Sequence, residues 1–306
     1  MGIEWGWIRD DGVRHAHVPE IVLRGRAPCS ALLFHGLTGG PLELAYLAHY
    51  LHRRAHMSVA CPVLINHGQP LAALARTRWQ ELWESARSHF KHAHAHAERD
   101  GQILFVGGLS IGAVLALMLA AEFKNDIAGV ACLSPTLFYD GWNVPWFQRF
   151  LPLVDYTPVK YFTYLREGPP YGLKDEALRA KIKLEYDAAF LSERGTPQST
   201  YAHFPIRLLC ESRHLIKQGI KMLPAVSSPV FVVQSAIDES TSPKNAHYIL
   251  DRVASRDKRL LLLHNSYHVV TADLEREKVA EATAQFFAAS SAIKAPRTNE
   301  EVVKAE

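Results

Sequence analysis

The sequence predicts an α/β fold, a mostly parallel open sheet covered by helices on both faces. Three observations carry that expectation. Short apolar runs rich in β-branched residues recur along the chain, as strands buried on both faces require. Longer segments of helical periodicity separate them, and glycine and proline punctuate the junctions. At 306 residues the chain is long enough for a sizeable core.

Taken in order, residues 1–26 read as irregular, with weak strand signals over 17–23. Residues 31–34 form the first buried strand and lead into His35-Gly36-Leu37-Thr38-Gly39-Gly40-Pro41, a sharp strand-to-helix loop whose proline suits a first helical position. A helix is expected over 42–56, with Leu44, Leu47, Ala48 and Leu51 on one face. A strand over 57–63, a long helix over 77–99 and further strands at 103–106 and 129–133 complete the first half. Helices at 175–190 and 206–223 follow, then strands at 230–234 and 260–263 and a C-terminal helix over 273–289.

Composition narrows the class of function. Hydrophobic residues make up 48% and charged residues 21%, as in ordinary globular proteins, and the net charge of +3 offers no basic stripe for nucleic acid. The N-terminus lacks an apolar signal region and no apolar run reaches spanning length, so neither a signal peptide nor an integral membrane segment is expected. The four cysteines lack metal-ligand spacing, which fits reduced thiols and a cytoplasmic location. Four histidines, His89, His92, His94 and His96, include an i,i+4 pair, but alternating alanines make a solvated helix face the simpler account.

The junction Gly108-Leu109-Ser110-Ile111-Gly112 fits the G-x-S-x-G nucleophile elbow. An apolar strand precedes it and a helix apolar nearly all round follows, which is the context that motif requires. Glycine two positions either side of the serine lets strand and helix approach closely, and the turn lifts the hydroxyl clear of the sheet. Asp238 falls in the loop after the strand at 230–234, where open α/β sheets place their ligands. His268 falls on the loop between the last strand and the last helix. Between the halves, residues 138–171 carry eleven aromatics and five prolines, so 134–228 reads as an inserted helical lid over the carboxyl ends of the strands. The core is then 1–133 with 229–290, and 291–306 is expected to be a disordered tail.

The order Ser110, Asp238, His268 is that of an α/β-hydrolase triad. Through HGLTGG (35–40), GLSIG (108–112), the Asp238 loop and S-x-H-V-V-T-x-D (266–273), the chain resembles the bacterial carboxylesterase and monoacylglycerol lipase branch of that fold, over the core but not the lid. The resemblance implies a serine hydrolase acting on carboxylic esters, and the aromatics of the lid lead us to expect short to medium acyl chains or a bulky apolar group. The backbone N–H groups of Leu37 and Ile111 would form the oxyanion hole. His35, Leu109, Trp142 and Val269 are expected around the substrate, His35 to orient the loop and with no chemical role of its own. A thioesterase, lactonase or amidase would use the same residues, and a non-catalytic relative binding an apolar ligand is a further alternative. No metal or cofactor is called for, the partner is a small apolar ester, and the chain is expected to be a monomer or homodimer.

Overall fold

The computed structural model describes residues 5–7, 20–191, 201 and 203–294. In chain order the elements are β1 (Trp5–Trp7), β2 (Ile21–Leu23), β3 (Cys29–Phe34), α1 (Ala45–Ala55), β4 (Ser58–Cys61), α2 (Leu71–Arg76), α3 (Trp79–Arg99), β5 (Ile103–Leu109), α4 (Ile111–Glu122) and β6 (Ile127–Leu133). There follow α5 (Leu151–Val154), β7 (Thr163–Arg166), α6 (Glu176–Leu191), β8 (His203–Pro205), α7 (Ile206–Met222), β9 (Val230–Ser235), α8 (Lys244–Arg252), β10 (Lys258–Leu263) and α9 (Arg276–Lys294).

Seven strands form the main sheet in the order β10-β9-β6-β5-β3-β4-β2, all parallel except β2, which runs antiparallel along the edge of β4. Alternation within each strand feeds two cores. Leu32, Phe34, Val106, Val230 and Val232 point to the face covered by α3, α4 and α7. Leu33, Phe105, Phe231 and Val233 point to the face covered by α1 and α9, where Phe105 stacks on Phe287. Strands buried on both sides need this continuous apolar character.

Several expectations shift at their edges. Strand β5 does not stop at Val106 but runs through both glycines to Leu109, because Gly107 and Gly108 remain hydrogen-bonded between β3 and β6. Pro41–Leu44 is a 3-10 turn, and the α-helix starts only at Ala45. The last helix runs to Lys294, with Ser291 Oγ donating to Phe287 O at 2.8 Å, so the tail expected from 291 starts no earlier than 295 and there lies outside the described residues.

The segment expected as a lid is not purely helical. Strands β7 and β8 pair antiparallel, and the N-terminal β1 joins them as a third strand, so residues 5–7, expected with the core, join a small sheet formed by that segment. Helix α7, counted above with the lid, packs on α4 and α3 and buries Leu208, Leu215 and Ile216 there.

Helix α4 sits at the centre, with every residue but Glu122 buried. Its first turn touches the neighbouring strand directly: a Cβ on Gly112 would lie 2.2 Å from the Phe34 carbonyl oxygen, which is backbone and cannot move aside cheaply. Gly112→Ala is therefore expected to destabilise the chain by about 3 kcal/mol or to prevent folding. Urea denaturation of the variant beside the parent checks this, and an unchanged midpoint would contradict it.

Candidate active site

The site is built where β5 breaks into α4. Ser110 occupies φ +58°, ψ −116°, a conformation that non-glycine residues hold only when the surroundings impose it. Here the constraints are the bond from Ser110 N–H to Leu133 O at 2.9 Å and the tight glycines on either side, Gly108 and Gly112. The turn exposes the serine hydroxyl at the carboxyl edge of the sheet. That hydroxyl meets Thr136 Oγ1 at 2.8 Å.

The acid and the imidazole converge on the same edge. Asp238 follows β9 and is buried, its Oδ1 accepting from the Ser240 and Thr241 amides at 2.8 Å each. Its carboxylate faces His268 Nδ1 at 2.9 and 3.1 Å, which places the proton on Nδ1 and leaves Nε2 to act. Ser110 and His268 line one cavity. Burial alone pushes the imidazole down, but the Asp238 carboxylate and its hydrogen bond, joined by Glu239 and Glu43, outweigh it and raise His268 to about 9.

Two further carboxyls ring the histidine, and neither stands out from the sequence. Glu239 Oε2 accepts the His268 backbone N–H at 3.0 Å; burial, with Asp238 beside it, pushes its carboxyl up to about 7. Glu43, from the 3-10 turn, accepts the Gly36 N–H at 2.9 Å and is also pushed up to about 7 by burial. The spacing of Gly36 and Glu43 is a signal only to a reader who already knows that the loop folds back. Thr136 gives no signal for the same reason: it lies three residues beyond β6 and meets Ser110 only in three dimensions.

The loop after β3 is held from behind. His35 is fully buried; its Nδ1–H donates to Gly36 O at 2.9 Å and its Nε2 accepts from Leu64 N–H at 3.1 Å. The Gly36–Leu37 peptide is thereby fixed with its carbonyl on His35 and its N–H directed oppositely. His67 lies with its ring centroid 4.6 Å from that of His35, and its Nε2 donates to Leu37 O at 2.8 Å. Burial keeps both imidazoles below their ordinary value. Among the described residues the amides of Leu37 and Ile111 donate to no other group.

The cavity has a volume of about 530 Å³, within the range of small-molecule sites. Leu109 and Val269 line it, with Leu42, Phe147, Leu165, Leu173 and Leu209. His35 and Trp142 do not. His35 stands behind the loop, and Trp142 lies exposed, held there by its Nε1–H on Ile237 O and its ring against Tyr267. The aromatic-rich stretch behaves likewise: Tyr139, Phe147 and Tyr171 reach the cavity, while Trp142, Trp146, Phe150, Tyr156, Tyr161 and Phe162 are exposed.

Two clasps tie the segments over the cavity to the loops that carry the acid and the imidazole. Asp140 accepts from the Ser242 N–H and hydroxyl, and Asn245 Oδ1 accepts from the amides of Leu137 and Phe138. On the other side Asp273, fully buried, accepts from the amides of Tyr267, Lys174 and Asp175, while Val269 N–H donates to Gly172 O. Of the expected features elsewhere, His92 and His96 lie exposed on α3 and His94 stacks on Phe90; among the described residues no group of three or more metal-ligating side chains occurs. Among those residues, too, no helix is long and apolar enough to cross a membrane.

A family profile described as Hydrolase_4, serine aminopeptidase S33, matches residues 32–275, most of the chain and all of the elements just described around Ser110, Asp238 and His268. The chain belongs to this family. It is 26% identical over 261 residues to the thermostable monoacylglycerol lipase of Bacillus sp. (strain H-257), covering 85% of this chain and 91% of that one. It is 23% identical over 258 residues to the carboxylesterase of Bacillus subtilis (strain 168), covering 84% and 91%. A solved structure from work on the metagenome-derived lipolytic enzymes LipS and LipT shares the fold, with a TM-score of 0.71, 24% identity and coverage of 89% and 98%. This member of the Hydrolase_4 family is thus an α/β-hydrolase and a serine hydrolase.

The raised His268 pKa makes a direct test of the site's electrostatics. An imidazolium held by Asp238 stabilises the fold fully below its ordinary value of 6.5, and that contribution fades as pH rises through about 9. NMR titration of His268 is expected to show the raised value in the parent and a marked fall in Asp238→Asn, where burial gains on the remaining charges. An unchanged titration would contradict the assignment of Asp238 as the dominant partner.

Proposed function

We propose that this chain hydrolyses carboxylic esters through an acyl-enzyme on Ser110, with His268 as general base and Asp238 as the carboxylate that orients it. The observation that carries the reading is the pairing of His268 Nδ1 with Asp238 at 2.9 Å, at the wall of the cavity into which the strained Ser110 turn presents its hydroxyl. The similarity to a monoacylglycerol lipase and a carboxylesterase supports the choice of ester.

A serine hydroxyl is a weak nucleophile at its free pKa, so its proton must pass to His268 Nε2 as Oγ attacks the ester carbonyl. The hydroxyl is held by Thr136, and a rotation about χ1 would turn it to the imidazole. Charge then develops on the carbonyl oxygen, where the unengaged amides of Leu37 and Ile111 serve as donors; losing one such donor costs about 3 kcal/mol. His268 returns the proton to the leaving alcohol, and a water activated by the same imidazole cleaves the acyl-enzyme. Leu109, Val269 and the apolar cavity wall suit short to medium acyl chains or a bulky apolar group. Because only neutral His268 accepts a proton, kcat/KM for a neutral ester is expected to climb from neutral pH towards about 9 and then level.

Ser110→Ala is expected to keep the fold by circular dichroism, lose fluorophosphonate labelling and lose turnover of nitrophenyl esters by about 10,000-fold or more. Retained labelling and turnover would overturn the role of Ser110. A panel of nitrophenyl esters of increasing acyl length, run beside thioesters and lactones, is expected to favour neutral apolar esters, and activity confined to thioesters, lactones or strongly charged substrates would displace the ester reading.

A further inference from the structure

Beside the substrate cavity lies a second, more open groove of about 720 Å³, between the segment after β6 and the outer face of α7. Its chemistry differs from the cavity's. Along α7, Arg213, Lys217 and Lys221 repeat at i, i+4 and i+8, so that they share one face of the helix, with Ile220 set among them. Across the groove stands Arg149, its guanidinium 5.4 Å from the centre of the exposed Trp146 ring. Among the described residues none of these four cations forms an ion pair. The groove's one acid, Asp140, is already engaged by Ser242 and by Asn245 Nδ2 at 3.0 Å.

An apolar trough rimmed by unpaired cations on both sides is complementary to a molecule with an alkyl body and a single anionic head. Arg and Lys suit a carboxylate by charge and by hydrogen bonding, and a surface of one sign concentrates the opposite ion. Val144 and Pro145 line both this groove and the substrate cavity, so only one layer of chain separates them. Ester hydrolysis turns a neutral substrate into an alcohol and an acid that ionises, and the acid is the one species in the reaction with the charge this groove attracts.

We propose that the groove binds an alkyl carboxylate, the acid product of the reaction proposed above. It takes the product by sign of charge, against the neutral ester and the alcohol. The proposal rests on the ester-hydrolase reading for the source of the ligand, though not for its binding. Since the cations are partly or fully exposed, the attraction is screened by salt.

Calorimetric titration of the full chain with sodium decanoate, decan-1-ol and decyltrimethylammonium bromide tests it, beside the triple variant Arg213→Gln, Lys217→Gln, Lys221→Gln. None of those positions belongs to the catalytic machinery, so hydrolysis of nitrophenyl butyrate is expected to be unchanged. Decanoate affinity is expected to fall at least tenfold in the variant and in 0.5 M salt, while decanol binding stays as in the parent. Equal decanoate affinity in parent and variant would overturn the proposal, as would a parallel loss for the alcohol or the cation. If the variant loses only its binding to phosphatidylglycerol vesicles, with decanoate unaffected, the groove reads an anionic membrane surface and the proposal also falls. Decanoate binding that behaves as expected in a chain without esterase activity would retain the groove and reject the function proposed for Ser110.

Discussion

Everything at the site depends on how closely α4 approaches the strands beneath it. Gly108 and Gly112 bring backbone against backbone: a Cβ on the first would lie 2.4 Å from the Gly112 carbonyl carbon, and one on the second 2.2 Å from Phe34 O. At that separation the single residue available to reverse the chain, Ser110, must take a positive φ. The strain, of the order of 1–3 kcal/mol for such a residue, is supported by a helix that is buried on nearly every side. The same packing sets the first amide of α4 directly after Ser110, so the nucleophile and the oxyanion donor proposed for Ile111 would arise from one constraint.

A second layer of organisation is electrostatic. Three carboxyls, Asp238, Glu239 and Glu43, face one imidazole in a largely enclosed space. They do not play one role. Asp238 is held by backbone amides and bonds the ring, whereas burial raises Glu239 and Glu43 to about 7, and each holds a backbone N–H of a loop at the cavity edge. Burial thus holds both carboxyls above the ordinary carboxylate range, and both bear on the field at His268. The loops themselves are anchored to the overlying segments through Asp140, Asn245 and Asp273, which links the cavity roof to the position of the imidazole.

The core was legible because its signals are local. Alternating apolar strands, the glycine pattern around Ser110 and the placement of Asp238 and His268 after strands all read from neighbouring residues. What was not legible depends on distant contacts. Trp5–Trp7 pairs with Thr163–Arg166, more than 150 positions away by sequence number, and nothing in either stretch announces the other. Tertiary approach, and not composition, decides that Trp142 faces outward while Phe147 faces the cavity. The His35 ring is satisfied by Gly36 and Leu64 behind the loop and does not line the cavity, and His67, with no motif of its own, also bonds that loop.

The central claim is that a hydroxyl on Ser110, an imidazole on His268 and two loop amides act together on one carbonyl. A crystal structure of the chain covalently phosphonylated by an alkyl fluorophosphonate tests it most directly. The account predicts phosphorus bonded to Ser110 Oγ, now free of Thr136, the phosphonyl oxygen within hydrogen-bond distance of the Leu37 and Ile111 amides, and His268 Nε2 beside Oγ. An adduct on another residue, or a phosphonyl oxygen that turns away from both amides, would contradict it.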